Sequence, residues 1–459
     1  PSLISWAEKR YRGQYAFVIT SPFDIYWHLD THFSKQLDHH SRLNLWQHMP
    51  DKSARMVLSN RQKWQVAAFF TILAVVWIAA PHTTTIALLI AINLFYFVTL
   101  LLKCMLFYHG RNYRPGKILP REKVNTLKDR DLPIYTILIP LHDEAETMPR
   151  LIKAISALDY PKSKLDIKLI VERDDAKTIK AIKSLKPHSG FEIIYVPYSI
   201  PQTKPKACNY ALHFARGDYV CIYDAEDEPD SLQLKKAVYM FRHAPESVIC
   251  LQARLNYYNR NHSLLTRLFA IEYAAWFDFM LPGLRKLNIP IPLGGTSNHL
   301  SLQRLRDVGE WDPYNVTEDA DLGIRLALEG YETDMLDSLT AEEAPIRLNA
   351  WMAQRTRWVR GYMQTWLVHM RHPVKLYRQL TPAAFWGFQF FVGGPCLVFL
   401  SAPLLWGISA LWAAGALVID HSPTADFITA LALFNLAFGL ISHLVYAMVI
   451  VRRYEWKGM

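Results

Sequence analysis

Long apolar stretches enclose a polar central region in this chain. Trp64–Ala80 and Ile86–Tyr108 form the first pair, and Lys103 is the one charged residue within them. Further apolar blocks run from Ala383 to Val418 and from Phe427 to Val451. About 20 apolar residues suffice for a helix to cross a bilayer. The pattern therefore predicts a transmembrane hairpin before the central region and further spans after it.

Two short segments predict where these helices are interrupted. Pro81-His-Thr-Thr-Thr85 separates the first two blocks and predicts a tight polar turn. The block that begins at Ala383 is too long for one straight span. We expect Gly393-Gly394-Pro395 to break it into an interfacial piece and a span.

Positive charge is distributed unevenly around the predicted spans. Lys and Arg residues precede the first and third blocks and follow the second and fourth: Arg55, Arg61, Lys63, Arg111, Arg121, Lys123, Arg371, Lys375, Arg378, Arg452 and Arg453. The turns at 81–85 and 420–426 contain neither residue type. Cytoplasmic loops carry the excess of Lys and Arg. We therefore predict a multi-pass protein of a bacterial-type inner membrane, with both ends and the central domain cytosolic.

The central region alternates short β-branched apolar runs with helical patterns. The predicted strands are Ile134–Pro140, Ile167–Val171, Phe191–Val196, Tyr219–Tyr223 and Val248–Leu251. Helical patterns cover 148–158, 206–215 and 231–242. This alternation favours an α/β domain with a Rossmann-like, mostly parallel sheet.

Two later stretches, Leu264–Leu287 and Ile346–His372, are amphipathic and rich in aromatic residues and Arg. They predict helices at the membrane surface that border a channel entrance. Ordinary core helices are the alternative.

Acidic residues follow three of the predicted strands, at 142–144, 174–175 and 224–227. Ligands of open α/β sheets collect at the carboxyl ends of the strands, so we expect these residues to share one pocket. Divalent cations such as Mg²⁺ prefer carboxylate and phosphate oxygens. The third cluster therefore predicts a site for Mg²⁺ or Mn²⁺, with three candidate ligands: Asp224, Glu226 and Asp227.

Two later motifs complete this pattern. Val316-Thr-Glu-Asp-Ala-Asp321 is followed by Gln354-Arg-Thr-Arg-Trp358. With the upstream acidic clusters, they resemble the D, D, D, QxxRW pattern of family 2 glycosyltransferases, specifically the membrane-embedded, cellulose-synthase-like polysaccharide synthases. The resemblance extends from about residue 134 to the C-terminus. It implies a GT-A-type cytosolic catalytic domain that is inserted between transmembrane helices and bordered by amphipathic interface helices.

The resemblance also implies roles for individual residues. Asp319 is the expected general base, and the neighbouring acids Glu318 and Asp321 should raise its proton affinity. The implied acceptor-binding residues are Gln354, Trp358 and Glu318. The implied donor-binding residues are His142, Glu144, Asp174, Asp175, Lys206 and Arg357. Glu226 stands where the family has the second Asp of Asp-x-Asp, so either Glu226 or Asp227 could be the second metal ligand.

These residues together imply an inverting transfer of sugar from a nucleotide sugar, UDP-glucose or a similar donor. The expected acceptor is a growing β-linked polysaccharide that the spans translocate across the membrane. The alternative is a non-processive transferase that acts on a lipid or a short glycan. A catalytically silent scaffold or transporter is a third hypothesis, which the intact acidic motifs disfavour. A homo-oligomer and a regulatory or export partner are both left open.

Composition agrees with a soluble domain attached to membrane spans. The 459 residues are 51% hydrophobic, and their mean hydropathy is +0.02. The net charge of +10 is explained by the basic loops, and no nucleic-acid partner is expected because no basic run with interleaved aromatics occurs. The chain begins at Pro1, and we expect it to be a trimmed or partial product.

The predicted domain organisation has six parts. They are an N-terminal cytosolic segment (1–63), a transmembrane hairpin (64–108), a GT-A domain (109–345), interface helices with QxxRW (346–382), C-terminal transmembrane helices (383–452) and a cytosolic tail (453–459).

Overall fold

The computed structural model describes residue 10 and residues 20–113, 119–185, 190–413 and 422–456. Much of the first third of the predicted 1–63 segment therefore lies outside the described residues. So do the end of the third apolar block, the start of the predicted 420–426 turn and the last three residues of the predicted tail.

An eight-stranded sheet lies at the centre of the described structure. Its strands are β1 (Tyr135–Leu141), β2 (Leu165–Glu172), β3 (Phe191–Val196), β4 (Tyr219–Ile222), β5 (Glu228–Pro229), β6 (Val248–Tyr257), β7 (Asn298–Ser301) and β8 (Glu332–Glu342). They lie in the order β3-β2-β1-β4-β7-β6-β8-β5, and β7 and β5 run antiparallel to their neighbours. The predicted mostly parallel sheet is confirmed, although β5, β7 and β8 were not predicted.

Seventeen α-helices surround or extend from this sheet within the described residues. They are α1 (Pro22–His48), α2 (Asn60–Ala79), α3 (Pro81–Gly110), α4 (Arg121–Val124), α5 (Met148–Ser156), α6 (Ala176–Leu185), α7 (Lys204–Leu212), α8 (Gln233–His243), α9 (Leu264–Ala275), α10 (Leu281–Lys286), α11 (Leu302–Asp307), α12 (Glu318–Leu328), α13 (Leu348–His369), α14 (Pro373–Gln379), α15 (Pro382–Phe388), α16 (Gly394–Ala413) and α17 (Pro423–Arg453).

The sheet separates two apolar cores. Ile137 and Ile139 of β1 belong to one core, whereas Leu138 between them belongs to the other. Successive side chains of a strand point to opposite faces. Because helices cover both faces of the sheet, every residue of β2 is buried, and its charged residues Asp166 and Lys168 pair with each other.

Helix α1 packs directly against the sheet domain. Tyr26 is buried in the larger core, and its ring meets Phe214 edge-on at 4.9 Å. Nδ2 of Asn209 in α7 donates to the carbonyl of Ser41 at 3.1 Å. The N-terminal helix thus packs on α7.

Four helices among the described residues are long and apolar enough to cross a membrane: α2, α3, the segment Pro382–Gly407 of α15 and α16, and α17. They coincide with the four predicted apolar blocks. The predicted polar turn at 81–85 is wrong. Helix α3 begins at Pro81, since proline fits the first helical position, and Ala80 alone separates it from α2.

The predicted break at Gly393-Gly394-Pro395 is also wrong. A π-helical turn at Gln389–Gly393 joins α15 to α16 without interruption. Such a turn changes the hydrogen-bond spacing locally and so accommodates the missing N–H of Pro395.

The two predicted amphipathic stretches are helical. The first forms α9, a π-helical turn at Trp276–Met280 and α10, and the second forms α13. Helix α9 packs against α17, and α13 packs against α16, so both lie where the sheet domain meets the apolar helices.

Candidate active site

Strands β2, β1 and β4 end side by side and bring the three predicted acidic segments to one edge of the sheet. The first two segments are joined by hydrogen bonds. Oδ2 of Asp175 accepts from the backbone N–H of Asp143 at 2.8 Å, and its Oδ1 accepts from that of Thr178 at 3.1 Å. Asp175 thus fixes both loops, while His142 and Asp174 are exposed beside it.

The third acidic segment forms a tight turn after β4. Oδ2 of Asp227 accepts from the backbone N–H of Asp224 at 2.7 Å and from the hydroxyl of Thr296. Asp227 is buried, and its Oδ1 has no hydrogen-bond partner among the described residues. Asp224 and Glu226 are half-buried, so their carboxylates remain accessible.

Burial and the charge of Asp224 raise the pKa of the neighbouring carboxyl groups. Burial, and then the charge of Asp224, raises the pKa of Glu226 to about 7. The same two causes raise the pKa of Asp227. Burial is also the largest cause of the raised pKa of Glu144, to which Asp224 contributes. A cation bound here would favour the charged form of each group.

Asp319 lies in the first turn of α12 and faces the same cluster. Its Oδ1 accepts from the backbone N–H of Ala320 at 2.7 Å. A Cβ atom at Gly295 would lie 3.4 Å from Oδ2, so this loop packs on the carboxylate. Burial raises the pKa of Asp319, and the charge of Asp224 acts in the same direction. Burial and then the charge of Asp319 raise the pKa of Glu318.

Lys204, which the sequence analysis did not select, places a positively charged ammonium group in this acidic cluster. Its Nζ contacts Oδ1 of Asp224 and donates to the carbonyl of Gly295 at 2.8 Å. The same residue links the turn after β4 to the loop that packs on Asp319. Lys204 and the Gly295 loop therefore connect Asp224 to Asp319.

The predicted donor-binding lysine, Lys206, points elsewhere. It is fully buried, and its Nζ donates to the carbonyl of Pro197 at 2.6 Å and lies 3.4 Å from Oε1 of Glu172. A direct contact with a diphosphate would break these bonds. The geometry therefore favours Lys204 for that contact.

Glu342 was also missed. It ends β8, which runs parallel to β6, so its side chain joins the acidic edge of the sheet. Burial, followed by the charges of Asp227 and Asp224, raises its pKa. Glu342-Glu343 repeats the acidic pair seen after the other strands. The sequence of β8 has no clear strand pattern, however, so this pair was not recognised as the end of a strand.

Helix α13 brings the QxxRW segment 354–358 against the start of α12. A Cβ atom at Gly361 would lie 2.3 Å from Cγ2 of Thr317, so the two helices approach closely enough to require glycine. The pKa of Tyr362 is raised by burial and then by the charge of Asp319, so the candidate base acts electrostatically on this helix.

Trp358, one of the predicted acceptor-binding residues, belongs to an aromatic cluster. The ring of Trp358 lies 6.1 Å from that of Phe269 and 4.9 Å from the guanidinium carbon of Arg355. Oε1 of Gln354 is buried and has no hydrogen-bond partner in the described part of the chain. Arg357 is exposed, and none of the ion pairs found among the described residues joins it to the acidic cluster.

Comparison with known proteins decides the family. Residues 219–450, more than half of the chain, match the family described as glycosyl transferase family group 2. The protein is a family 2 glycosyltransferase. It therefore transfers sugar from a nucleotide-sugar donor.

A curated relative and a solved structure resemble this glycosyltransferase. The probable glycosyltransferase YdaM of Bacillus subtilis (strain 168) is 27% identical over 300 residues, which cover 62% of this chain and 70% of that protein. The mannosyltransferase PcManGT from Pyrobaculum calidifontis, solved in complex with GDP-Man and Mn²⁺, matches with a TM-score of 0.53 at 20% identity. That match covers 82% of this chain and 99% of the other, and it confirms the GT-A-like fold.

The acidic cluster of the glycosyltransferase fits a divalent cation that arrives with a diphosphate. Among the described residues, no three His, Cys, Asp or Glu side chains are arranged to hold a metal ion by themselves. Mg²⁺ in nucleotide-binding enzymes is usually held by one or two carboxylates, and phosphate oxygens complete its coordination. Asp224 and Glu226 are accessible and repel each other, and Asp227 adds an unpartnered oxygen.

Proposed function

We propose that this glycosyltransferase extends a β-linked polysaccharide at the cytosolic face of a bacterial-type inner membrane and passes the product across it. One observation carries the proposal. Lys204 and the Gly295 loop connect Asp224 to Asp319, so the accessible carboxylates and the candidate base lie close to one another.

The donor, UDP-glucose or a similar nucleotide sugar, binds at the ends of β1, β2 and β4. The nucleoside lies near His142, Glu144 and Asp174, with Asp175 fixing the loops. Asp224 and Glu226 hold Mg²⁺ or Mn²⁺, which when bound neutralises the charge that develops on the leaving diphosphate. Lys204 is positioned to contact the same diphosphate.

Asp319 accepts the proton of the acceptor hydroxyl as that oxygen attacks the anomeric carbon opposite the diphosphate. The attack breaks the bond to the diphosphate and inverts the configuration. The Ala320 N–H orients the carboxylate, and burial raises its pKa toward the value that suits a general base near neutral pH.

The acceptor sugar lies against the start of α13. The unpartnered Oε1 of Gln354 accepts a hydrogen bond from a sugar hydroxyl, and Trp358 offers an aromatic face. Glu318, beside the base, is a further hydrogen-bond acceptor in its charged form. Arg357, exposed on the same helix, approaches the donor only if the helix or its side chain moves.

The apolar helices place this reaction at a membrane. We assign α2 and α3 to a transmembrane hairpin (64–108) and Pro382–Gly407 and α17 to the C-terminal spans (383–452). The GT-A domain (109–345) and the interface helices (346–382) lie between them. The uneven distribution of Lys and Arg supports a cytosolic position for this central part.

A lipid-linked acceptor is the second candidate. Leu264 and Leu268 of α9 are 73% and 57% exposed, and Leu348 and Met352 of α13 are 61% and 51% exposed. These helices carry the aromatic cluster around Trp358. Apolar side chains of this kind insert into the bilayer interface and would let a lipid-linked acceptor enter from the side.

Product analysis separates the two candidates. Purified protein is incubated with Mn²⁺ and a panel of nucleotide sugars, and the products are sized and digested with β-specific glycosidases. The proposal predicts long β-linked chains that form while most acceptor remains unextended. Single additions to a lipid would favour the second candidate, and the absence of turnover with every donor would contradict both.

A further inference from the structure

We propose that Lys204 pairs with Asp224 in the free enzyme and transfers to the donor diphosphate when the metal–nucleotide complex binds. The cation then reaches Asp224 only together with the donor. The inference rests on the proposed function, because it takes Asp224 as the residue that contacts the cation.

The contacts of Lys204 place its ammonium group on the cation-binding carboxylate. Nζ contacts Oδ1 of Asp224 and donates to the carbonyl of Gly295 at 2.8 Å. The two side chains are 28% and 33% exposed, so ligands can reach both. Burial raises the pKa of four further carboxylates, and the positive charge of Lys204 opposes that rise at each of them: Glu226, Glu318, Asp319 and Glu342.

The ammonium group of Lys204 and a divalent cation repel each other if both bind the carboxylate of Asp224. The two positive charges would lie within about 4–5 Å of each other, where like charges in a partly buried site repel strongly. The negative diphosphate offers Lys204 an alternative partner at the moment the cation arrives. Binding of cation and nucleotide is therefore expected to be cooperative.

The surrounding structure lets the side chain of Lys204 move while its backbone stays fixed. Pro205 begins the rigid first turn of α7, and the buried Lys206 is bonded to Pro197 and Glu172. A lysine side chain has four rotatable bonds. Lys206 thus anchors the helix start from which Lys204 can turn from Asp224 to a diphosphate.

The test measures Mn²⁺ binding by the purified full chain, by electron paramagnetic resonance, with and without UDP or GDP. For the unmodified protein we expect weak binding of Mn²⁺ alone and at least tenfold tighter binding with the nucleotide that the enzyme accepts. Lys204→Met should bind Mn²⁺ alone about tenfold more tightly than the unmodified protein and should lose most of the enhancement by nucleotide.

Three further variants serve as controls for Lys204→Met. Lys204→Gln is a second neutral variant, which tests the proposal if Lys204→Met does not fold. Thermal unfolding shows whether each of the two variants is folded. Lys204→Arg keeps the charge and should retain weak binding of Mn²⁺ alone. Lys236→Met removes a lysine that pairs with Asp230 instead, and it should leave Mn²⁺ binding unchanged.

The contrary outcomes are distinguishable. One contrary outcome is that the unmodified protein, Lys204→Met and Lys204→Gln bind Mn²⁺ alone equally well, and that nucleotide tightens Mn²⁺ binding equally in all three. This outcome would overturn the proposed transfer of Lys204 from Asp224 to the diphosphate and leave the proposed function standing. Failure of Mn²⁺ to bind under any condition would overturn both.

Discussion

Nε2 of His369 lies 2.9 Å from Oδ1 of Asp321, which joins helix α13 to helix α12 behind the candidate base. Oδ2 of Asp321 accepts from Nε of Arg325 at 2.7 Å. Burial alone would raise the pKa of Asp321, but the charge of Arg325 and the hydrogen bond from His369 hold it below its usual value. A buried carboxylate thus connects the helix whose first turn contains Asp319 to the helix that carries QxxRW.

Removing this carboxylate should destabilise the protein strongly. Asp321→Ala leaves Arg325 buried without its partner, and the free energy of unfolding should fall by about 3–5 kcal/mol. Chemical denaturation in detergent measures the change. Asp307→Ala is the matched control, because its pair with Arg304 is exposed and should contribute less than about 1 kcal/mol.

The destabilisation should also depend on pH. Because folding depresses the pKa of Asp321, its contribution is present at neutral pH and is lost as pH falls through the folded-state pKa. The difference between the unmodified protein and Asp321→Ala should therefore shrink in acid. Equal stability of the two proteins at pH 7 would show that Asp321 does not join the helices.

The close approach of α12 and α13 predicts a steric effect at Gly361. Its Cβ would lie 2.3 Å from Cγ2 and 2.4 Å from Oγ1 of Thr317, so Gly361→Ala should cost about 1–3 kcal/mol and reduce transfer by displacing QxxRW from Asp319. Thr317→Ala removes both atoms and should restore part of the loss. Gly407→Ala, where nothing lies within 4 Å, should change stability by no more than about 1 kcal/mol.

The raised pKa of Asp319 predicts an acid limb in the rate profile. A general base works only when deprotonated, so kcat/KM should fall as pH decreases through a value clearly above 3.8, the usual pKa of an aspartate. Asp319→Glu keeps a carboxylate whose usual pKa is 4.5, and its limb should lie at higher pH with a lower plateau. A limb at or below pH 3.8, unchanged in Asp319→Glu, would exclude Asp319 as the base.

The second cation-binding carboxylate can be identified by comparing two variants. Glu226 is accessible, so Glu226→Gln should weaken Mn²⁺ binding in the presence of nucleotide about tenfold and leave the unfolding temperature unchanged. Asp227 holds the turn, so Asp227→Asn should cost about 1.5–3 kcal/mol of stability. If Asp227→Asn weakened Mn²⁺ binding with no loss of stability, while Glu226→Gln changed nothing, the assignment would be reversed.

Much of the fold and part of the site follow from the sequence because local pattern decides them. The apolar blocks are helical because their length and composition suit a bilayer span, and the continuous runs at β1, β2 and β4 are parallel strands because both faces are covered. Once these strands are parallel, their acidic ends must meet.

The features that were missed depend on orientation or long-range pairing. Lys204 and Lys206 are two residues apart at a helix start, so they point to nearly opposite sides, and only the position of α7 on the sheet decides which one faces the pocket. Glu342 reaches the cluster because β8 pairs with β6 across the 74 residues of chain that separate the two strands. Local pattern contains neither fact.

The most direct test of the account measures nucleotide binding and sugar transfer side by side for Asp319→Asn and Asp224→Asn, with the donor that the panel identifies. Asp319→Asn should bind nucleotide with Mn²⁺ nearly as the unmodified protein does and lose transfer by roughly 10²–10⁴. Asp224→Asn should lose binding and transfer together. Substantial transfer by Asp319→Asn, or undiminished binding of nucleotide and Mn²⁺ by Asp224→Asn, would contradict the account.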